Sequence, residues 1–284
     1  MKATYKVVLD CPDRVGIVTR VGEVITRNGG WICEASHHSD EESNWFFSRL
    51  EVQADSLPFG IEQLEREFAE LKRELQLNLR LIDSARPKKV VLMASKGSHC
   101  LSDLLDRYQS GDLNCEISCV ISNHADMQGL VEWYGIPFHH VVIEKDNKAP
   151  GFAKVEELVD EYQAECVVLA RYMQILPQAL CEKLRHKVIN IHHSFLPSFI
   201  GAKPYHQASR RGVKLIGATC HYVTEQLDEG PIIDQDVVRV SHSDQVEDLV
   251  RLGKDVEKTV LARGLRAHLE DRVLVHGNKT VVFN

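Results

Sequence analysis

Asn190-Ile191-His192-His193-Ser194 and, further along, His221 with the acidic turn Asp228-Glu229-Gly230-Pro231 are the densest groupings of reactive side chains in the sequence. In an extended strand Asn190 and His192, two apart, project to the same side, so an amide donor and an imidazole can converge on one atom. An amide, an imidazole and a carboxylate are the parts needed to attack a carbonyl. Donors among them can stabilise the developing oxyanion, and a base among them can activate the attacking group or relay a proton. Each residue also has a structural use: Asn and Asp cap turns, and a single His often satisfies a buried carbonyl.

The elements that must position these groups follow from periodicity. Residues 5–9 read as a strand, Ile17, Val18, Val21, Val24 and Ile25 share one helical face, and Asn28-Gly29-Gly30 ends that helix. Residues 31–38 and 45–53 read as a hairpin around the polar turn 39–43, Ile61, Leu64, Phe68, Leu71 and Leu75 form a second helical stripe, and Leu77, Leu79 and Leu81 alternate as a last strand. The order is βαββαβ, a ferredoxin-like domain over residues 1–85. The polar, proline-bearing segment 83–89 reads as a linker. From residue 86 to 284 apolar strands (90–94, 116–122, 139–143, 166–170, 188–191) alternate with helices (100–108, 127–134, 155–162), and a long helix at 245–269 follows. That pattern predicts an α/β, Rossmann-like domain with a mostly parallel sheet covered on both faces. Ligands of such sheets sit beyond the carboxyl ends of the strands, here the loops after Ala94, Ala170 and Ile191.

Composition bounds the partners. The 284 residues carry a formal net charge of −7, the wrong sign for a surface that grips phosphate backbones, so no nucleic-acid partner is expected. No apolar run is long enough to cross a bilayer and no signal-peptide core is evident, which points to a cytoplasmic chain with no membrane partner. The eight cysteines are scattered without CxxC spacing and read as buried thiols rather than disulfides; Cys115 and Cys119 read as inert. Of the 14 histidines, His192, His193, His206 and His221 fall in or near the reactive segments, while His139 and His140 read as solvent-facing or satisfied in the core. A metal-dependent amidohydrolase is the competing chemistry, but HExxH and Cys-rich spacings are lacking, so no metal is expected.

The run NIHHSFLPSFIGAKPYHQA, from Asn190 through Phe199 and beyond, followed by GATCHYVTEQLDEGPII, resembles the folate-dependent formyltransferase superfamily over most of residues 88–284. The resemblance implies that Asn190 and His192 polarise the formyl oxygen and that Asp228 orients the attacking group and shuttles protons. It further implies a pteridine contacted by Met173, Gln174, Leu176, Thr224 and Glu225, largely through backbone groups, with His193 and His221 supporting the trio.

The acceptor is read from the first loop of this domain. In glycinamide ribonucleotide formyltransferases that loop is a Gly-rich phosphate cradle; here it is Ser95-Lys96-Gly97-Ser98-His99-Cys100, with one glycine where the transferase pattern has two and His99 where it has Asn. This departure, and the wording of residues 190–199, is similar to formyltetrahydrofolate deformylases. The implied reaction is hydrolysis of 10-formyltetrahydrofolate to formate and tetrahydrofolate, supplying formate for purine synthesis and balancing one-carbon pools, with no cofactor beyond the folate substrate. Formyl transfer to glycinamide ribonucleotide is the alternative. Residues 10–17 (DCPDRVGI) with Asn28-Gly29-Gly30 resemble an ACT domain. That implies a homo-oligomer, dimer or tetramer, with Arg14, Gly16 and Asn28 as candidate residues for a glycine or methionine effector. Gly16 itself is explained if the strand-to-helix turn needs close backbone approach.

Overall fold

A computed structural model describes residues 3–198 and 204–284. Two compact units emerge. The first contains the chain up to Pro87 together with Asp271–Leu274 and Val281–Asn284; the second contains Lys88–Glu270 and Val275–Thr280.

In the first unit β1 (Thr4–Pro12), α1 (Ile17–Thr26), β2 (Ile32–Asp40), β3 (Trp45–Gln53), α2 (Ile61–Leu75) and β4 (Asn78–Asp83) follow in order. Their sheet runs β2-β3-β1-β4 with every pair antiparallel, the ferredoxin-like arrangement expected. One face of β1 and β3 packs on the apolar stripes of α1 and α2, with Val7, Leu9, Ile25, Leu50, Leu64 and Phe68 at the centre. The other face is not open: Val8 and Phe47 meet Leu274 and Phe283 from the far end of the chain. Burying such side chains contributes roughly 1.5–3 kcal/mol each.

Two expectations are corrected here. Cys33 is exposed, unlike the other cysteines, which are buried or, for Cys115, half-buried; it sits in a bulge between Ile32 and Glu34 on the edge strand β2. Gly16 is not explained by close approach, since a Cβ there would meet nothing within 4 Å. Its φ of 92° at the start of α1 is the reason, because side chains with a Cβ are strained in that region.

The second unit is built from β5 (Lys88–Ala94), α3 (His99–Gln109), β6 (Cys115–Ser122), α4 (Gln128–Trp133), β7 (Phe138–His140), α5 (Ala149–Glu161), β8 (Cys166–Ala170) and α6 (Gln178–Lys183). The chain continues through β9 (Val188–His192), α7 (Pro204–Arg211), β10 (Leu215–Tyr222), β11 (Ile232–Arg239) and α8 (Val246–Leu269); the hairpin β12 (Val273–His276) and β13 (Lys279–Val282) that follows is divided between the two units. The large sheet has the order β11-β10-β9-β8-β5-β6-β7. From β9 to β7 it is parallel; β10 and β11 add an antiparallel edge.

The central strands are buried along their whole length, as in β8, because helices cover both faces. On one side Val155 and Val159 of α5 and Leu180 of α6 pack on Val91, Val167 and Leu169. The strand expected at 139–143 stops at His140; α6 and α7, short and weakly patterned, were not expected. Lys88 and Lys89, expected in the linker, already pair in β5. No helix among the described residues is long and apolar enough to cross a membrane.

Candidate active site

The order of strands reverses at β5, with β6 and β7 on one side and β8 and β9 on the other, and the loops beyond β8, β9 and β10 line a cavity of about 440 Å³. Its walls include Met173, Gln174, Leu176, Thr224 and Glu225, all expected at the folate site, together with Asn190, His192, His193, His221 and Asp228. Ile175, Val223 and Gln226 complete the same two loops. The three groups proposed for chemistry are therefore brought together, two from β9 and one from the loop after β10. His206 is exposed on α7 and is not among the residues lining the cavity. Phe199, which closes the quoted run, lies outside the described residues.

Antiparallel pairing of β9 with β10 sets His221 opposite Asn190 and Thr219 opposite His192. Asn190 Nδ2 lies 3.1 Å from His221 Nε2, while His221 Nδ1 lies 2.9 Å from the Tyr222 carbonyl. A carbonyl only accepts, so Nδ1 carries the proton and Nε2 offers a lone pair to the Asn190 amide. That fixes the amide with its NH2 toward His221 and leaves one N–H for a substrate. Burial lowers the His221 pKa, against the opposing pull of the Tyr222 carbonyl and the Asp228 charge, which keeps the ring neutral and this tautomer in place.

Asp228 occupies a left-handed position with φ 60°, tolerated by Asp better than by most residues. Its Oδ2 is 3.2 Å from His192 Nδ1 and its Oδ1 is 3.7 Å from His221 Nε2. The first is a hydrogen bond; the second is too long, which leaves Oδ1 free to accept among the described residues. Burial pushes the Asp228 carboxyl up, but the His192 hydrogen bond, with the neighbouring His192, His221 and His193 imidazoles, brings it below the usual range. His192 is 5% exposed, and its Nε2 has no hydrogen-bond partner among the described residues. His193 stacks obliquely beside it at 5.1 Å. Burial, then the charges of Arg171 and His192, bring the His193 pKa down to about 4.

Two supports were not legible as such. Thr219 accepts from Leu196 N and from Gln235 Nε2 and donates to the Ser194 carbonyl, pinning the turn that follows His192. Behind the cavity lies a buried ion cluster. Glu257, 1% exposed on α8, accepts from Tyr205 Oη at 2.6 Å on one oxygen and faces His99 Nε2 at 2.7 Å and Arg171 Nε at 3.4 Å on the other. Burial pushes Glu257 up, yet these partners hold it below the usual carboxylate range. Its signal in the sequence is a carboxylate on a buried stripe: Leu249, Gly253, Glu257, Val260 and Gly264 fall on one face of α8. His99, Cys100 and Glu257 lie close enough to share an ion, but Arg171 beside the same oxygen would repel one.

The loop after β5 supports the cavity from behind rather than lining it. Ser95 Oγ donates to Asn123 Oδ1 and accepts from Met173 N. In the first unit Arg14 is exposed, and Asn28 Nδ2 donates to the Val24 carbonyl and to Glu67 Oε2, tying down the end of α1. His139 Nε2 pairs with Tyr162 Oη at 2.9 Å and His140 is exposed. Burial pushes the thiols of Cys115 and Cys119 up to about 12 each, in keeping with inert cysteines.

The formyl transferase family matches residues 88–265. The chain is 46% identical over 280 residues to a formyltetrahydrofolate deformylase of Synechocystis sp., covering 99% of this chain and 98% of that one. It is 45% identical to a protein of the same name from Bacillus subtilis, covering 98% of this chain and 93% of that one. The crystal structure of a formyltetrahydrofolate deformylase from Pseudomonas syringae pv. tomato superposes with a TM-score of 0.99 at 62% identity, covering 100% of this chain and 95% of that one. A glycinamide ribonucleotide transformylase from Symbiobacterium toebii is more distant, with a TM-score of 0.67 at 29% identity over 72% of this chain and 98% of that one.

Proposed function

The chain belongs to the formyltetrahydrofolate deformylases of the formyl transferase family, and we propose that Asn190, His192 and Asp228 carry its hydrolysis of 10-formyltetrahydrofolate to formate and tetrahydrofolate. The observation that carries this assignment is the double role of Asp228, which holds His192 through one oxygen and keeps the other free. Water accepted by that free oxygen attacks the formyl carbon. As the new C–O bond forms, charge grows on the formyl oxygen. The second N–H of Asn190 and the Nε2 of His192, protonated, donate to it. The C–N10 bond then breaks, N10 takes up a proton relayed through Asp228 or His192, and formate leaves. Nothing in these steps calls on a metal or a redox cofactor.

The apolar walls at Met173, Leu176 and Val223 suit a flat pteridine, with polar backbone at the same loops to orient it. Incubation with 10-formyltetrahydrofolate alone tests the reading: formate should appear with no amine added. Passage of the formyl group to added glycinamide ribonucleotide, with no formate released in its absence, would overturn it.

The first unit we read as an ACT-type module that pairs copies of the chain into a dimer or tetramer and binds glycine or methionine. Its edge strand β2 is largely exposed and offers an unpaired ladder, which supports pairing. Sedimentation showing a monomer would remove the first part, and calorimetry with no heat and no rate change from either amino acid would remove the second.

A further inference from the structure

We propose that the hairpin β12–β13 positions Asp228 for catalysis: Asn278 at its tip and Thr280 beside it clamp the turn that carries Asp228, and the foot of the same hairpin roots that clamp in the core of the first unit. This rests on the role of Asp228 in the reading above and deepens it. Asp228 keeps a φ of 60°, a conformation that Asp tolerates but does not hold unaided. Glu229 N donates to the Gln226 carbonyl at 3.3 Å, closing a turn around Leu227 and Asp228. Past Asp228 the chain is packed tightly on β10. Tyr222 N donates to the Pro231 carbonyl at 2.9 Å, and a Cβ on Gly230 would stand 1.8 Å from the Tyr222 carbonyl oxygen. The hairpin takes up the remaining freedom. Asn278 Nδ2 donates to the Glu229 carbonyl at 3.0 Å and Thr280 Oγ1 to the Ile232 carbonyl, one bond at each end of the segment 229–232.

The tip does not need Asn278 for its own shape. Its left-handed position is taken by Gly277, at φ 58°, which leaves the backbone at residue 278 open to other side chains. Gly277 and Asn278 also face Thr224, Glu225 and Gln226 across a crevice of about 130 Å³, so the tip backs the loop that lines the folate cavity. At the foot, Leu274 and Phe283 pack on Val8 and Phe47. Phe283 N donates to the Arg272 carbonyl at 2.9 Å, and Arg272 Nη1 donates to the Phe283 carbonyl at 2.7 Å. Asp271–Leu274 and Val281–Asn284 thus belong to the first unit, while Val275–Thr280 belong to the second. One short hairpin therefore ties the turn that aims Asp228 to the sheet of the first unit.

The test uses the full chain with 10-formyltetrahydrofolate. Asn278→Ala and Thr280→Val each remove one hydrogen bond and should each lower kcat by about two- to tenfold. KM and the Kd of a folate inhibitor should change little, since neither bond goes to residues 173–176 or 224–225. Asn278→Gln, which keeps an amide donor on a longer stem, should recover part of the loss, and Asn278→Asp, which only accepts, should not. Phe283→Leu in the first unit should also lower kcat, and its effect should largely vanish once Asn278→Ala and Thr280→Val have cut the tip loose. A hairpin that only stabilises the fold would lower Tm and leave kcat, measured well below Tm, unchanged in all these variants; that outcome overturns the proposal. Additive losses from Phe283→Leu and the tip variants overturn it as well. If Phe283→Leu does not fold, the tip variants still decide, because Asn278 is exposed and Thr280 half-buried. A clamp that fails these tests leaves the hydrolytic reading intact, whereas a wild type that releases no formate removes both.

Discussion

His192 and Asp228 face each other at 3.2 Å through Nδ1 and Oδ2, so the proton on Nδ1 is fixed by the carboxylate and the opposite nitrogen, Nε2, is the one turned to substrate. Replacing Asp228 by Asn keeps the shape but removes the carboxylate that holds the His192 ring through Nδ1 and the charged oxygen that aligns water. Loss of a positioned proton-transfer group costs about 100- to 10,000-fold, so Asp228→Asn should reduce kcat by that order while a folate inhibitor still binds. Near-full activity in the variant would contradict the mechanism.

The same pair sets a pH expectation. The Asp228 pKa is lowered in the folded chain, despite burial, by the His192 hydrogen bond and the neighbouring imidazoles. The charged form is therefore present above the unfolded value of about 3.9 and is lost only as pH falls through a lower folded value. Any acid limb of kcat/KM that lies above pH 5 must belong to another group, and it should persist in a variant in which residue 228 cannot titrate.

His221 acts on the reaction through Asn190. Its Nε2 lone pair orients the amide at 3.1 Å, and its own tautomer is fixed by the Tyr222 carbonyl. His221→Phe should free the amide to rotate and lower kcat by about tenfold, the worth of one hydrogen bond, with KM little changed. His221→Gln, which can present an acceptor at the same place, should recover part of that loss. Equal effects on kcat and KM in both variants would point to general damage instead.

Asn190 and His192 were legible as a pair because they alternate on β9; Asp228, in the acidic turn after β10, was joined to them only by the family resemblance. The parallel sheet was legible too, from strands such as β8 that are apolar at every position. What was hidden depends on residues far apart in the chain. Glu257 reads as an ordinary charge on a long helix until α8 is laid on the sheet, where His99, Arg171 and Tyr205 arrive from three other elements. Leu274 and Phe283 look like the end of the second domain, yet they pack on Val8 and Phe47; no local pattern announces a partner that distant. The extent of β7 was overestimated because apolar residues 141–143 satisfy a strand pattern without a neighbouring strand to pair with.

His193 should make stability depend on pH. Burial and nearby positive charge lower its folded pKa to about 4, against about 6.5 when unfolded. Between those values the unfolded chain binds the extra proton, so stability rises with pH across that window and is lost as pH falls through it. The full effect is on the order of 3 kcal/mol at most for this half-buried ring. Urea midpoints measured at pH 4.5, 5.5 and 7 should converge less steeply for His193→Asn than for the wild type. Identical slopes would show that His193 is not the titrating group.

Two helical glycines should respond to alanine with opposite signs. Gly22 in α1 has nothing within 4 Å of the position a Cβ would take, so Gly22→Ala should stabilise the first unit by roughly 0.5–1 kcal/mol through reduced chain entropy and better helix propensity. Gly253 in α8 has the Tyr205 hydroxyl oxygen 2.1 Å from that position. A methyl group there must displace Tyr205 from Glu257, and overpacking of this kind typically costs about 1–3 kcal/mol. Gly253→Ala should accordingly lower Tm. Because Tyr205 would no longer fill Glu257 Oε1, Tyr205→Phe in the same background should add little further loss. Additive losses from the two substitutions would mean that the hydroxyl still reaches Glu257 with the methyl group in place, and the packing argument at residue 253 would fail.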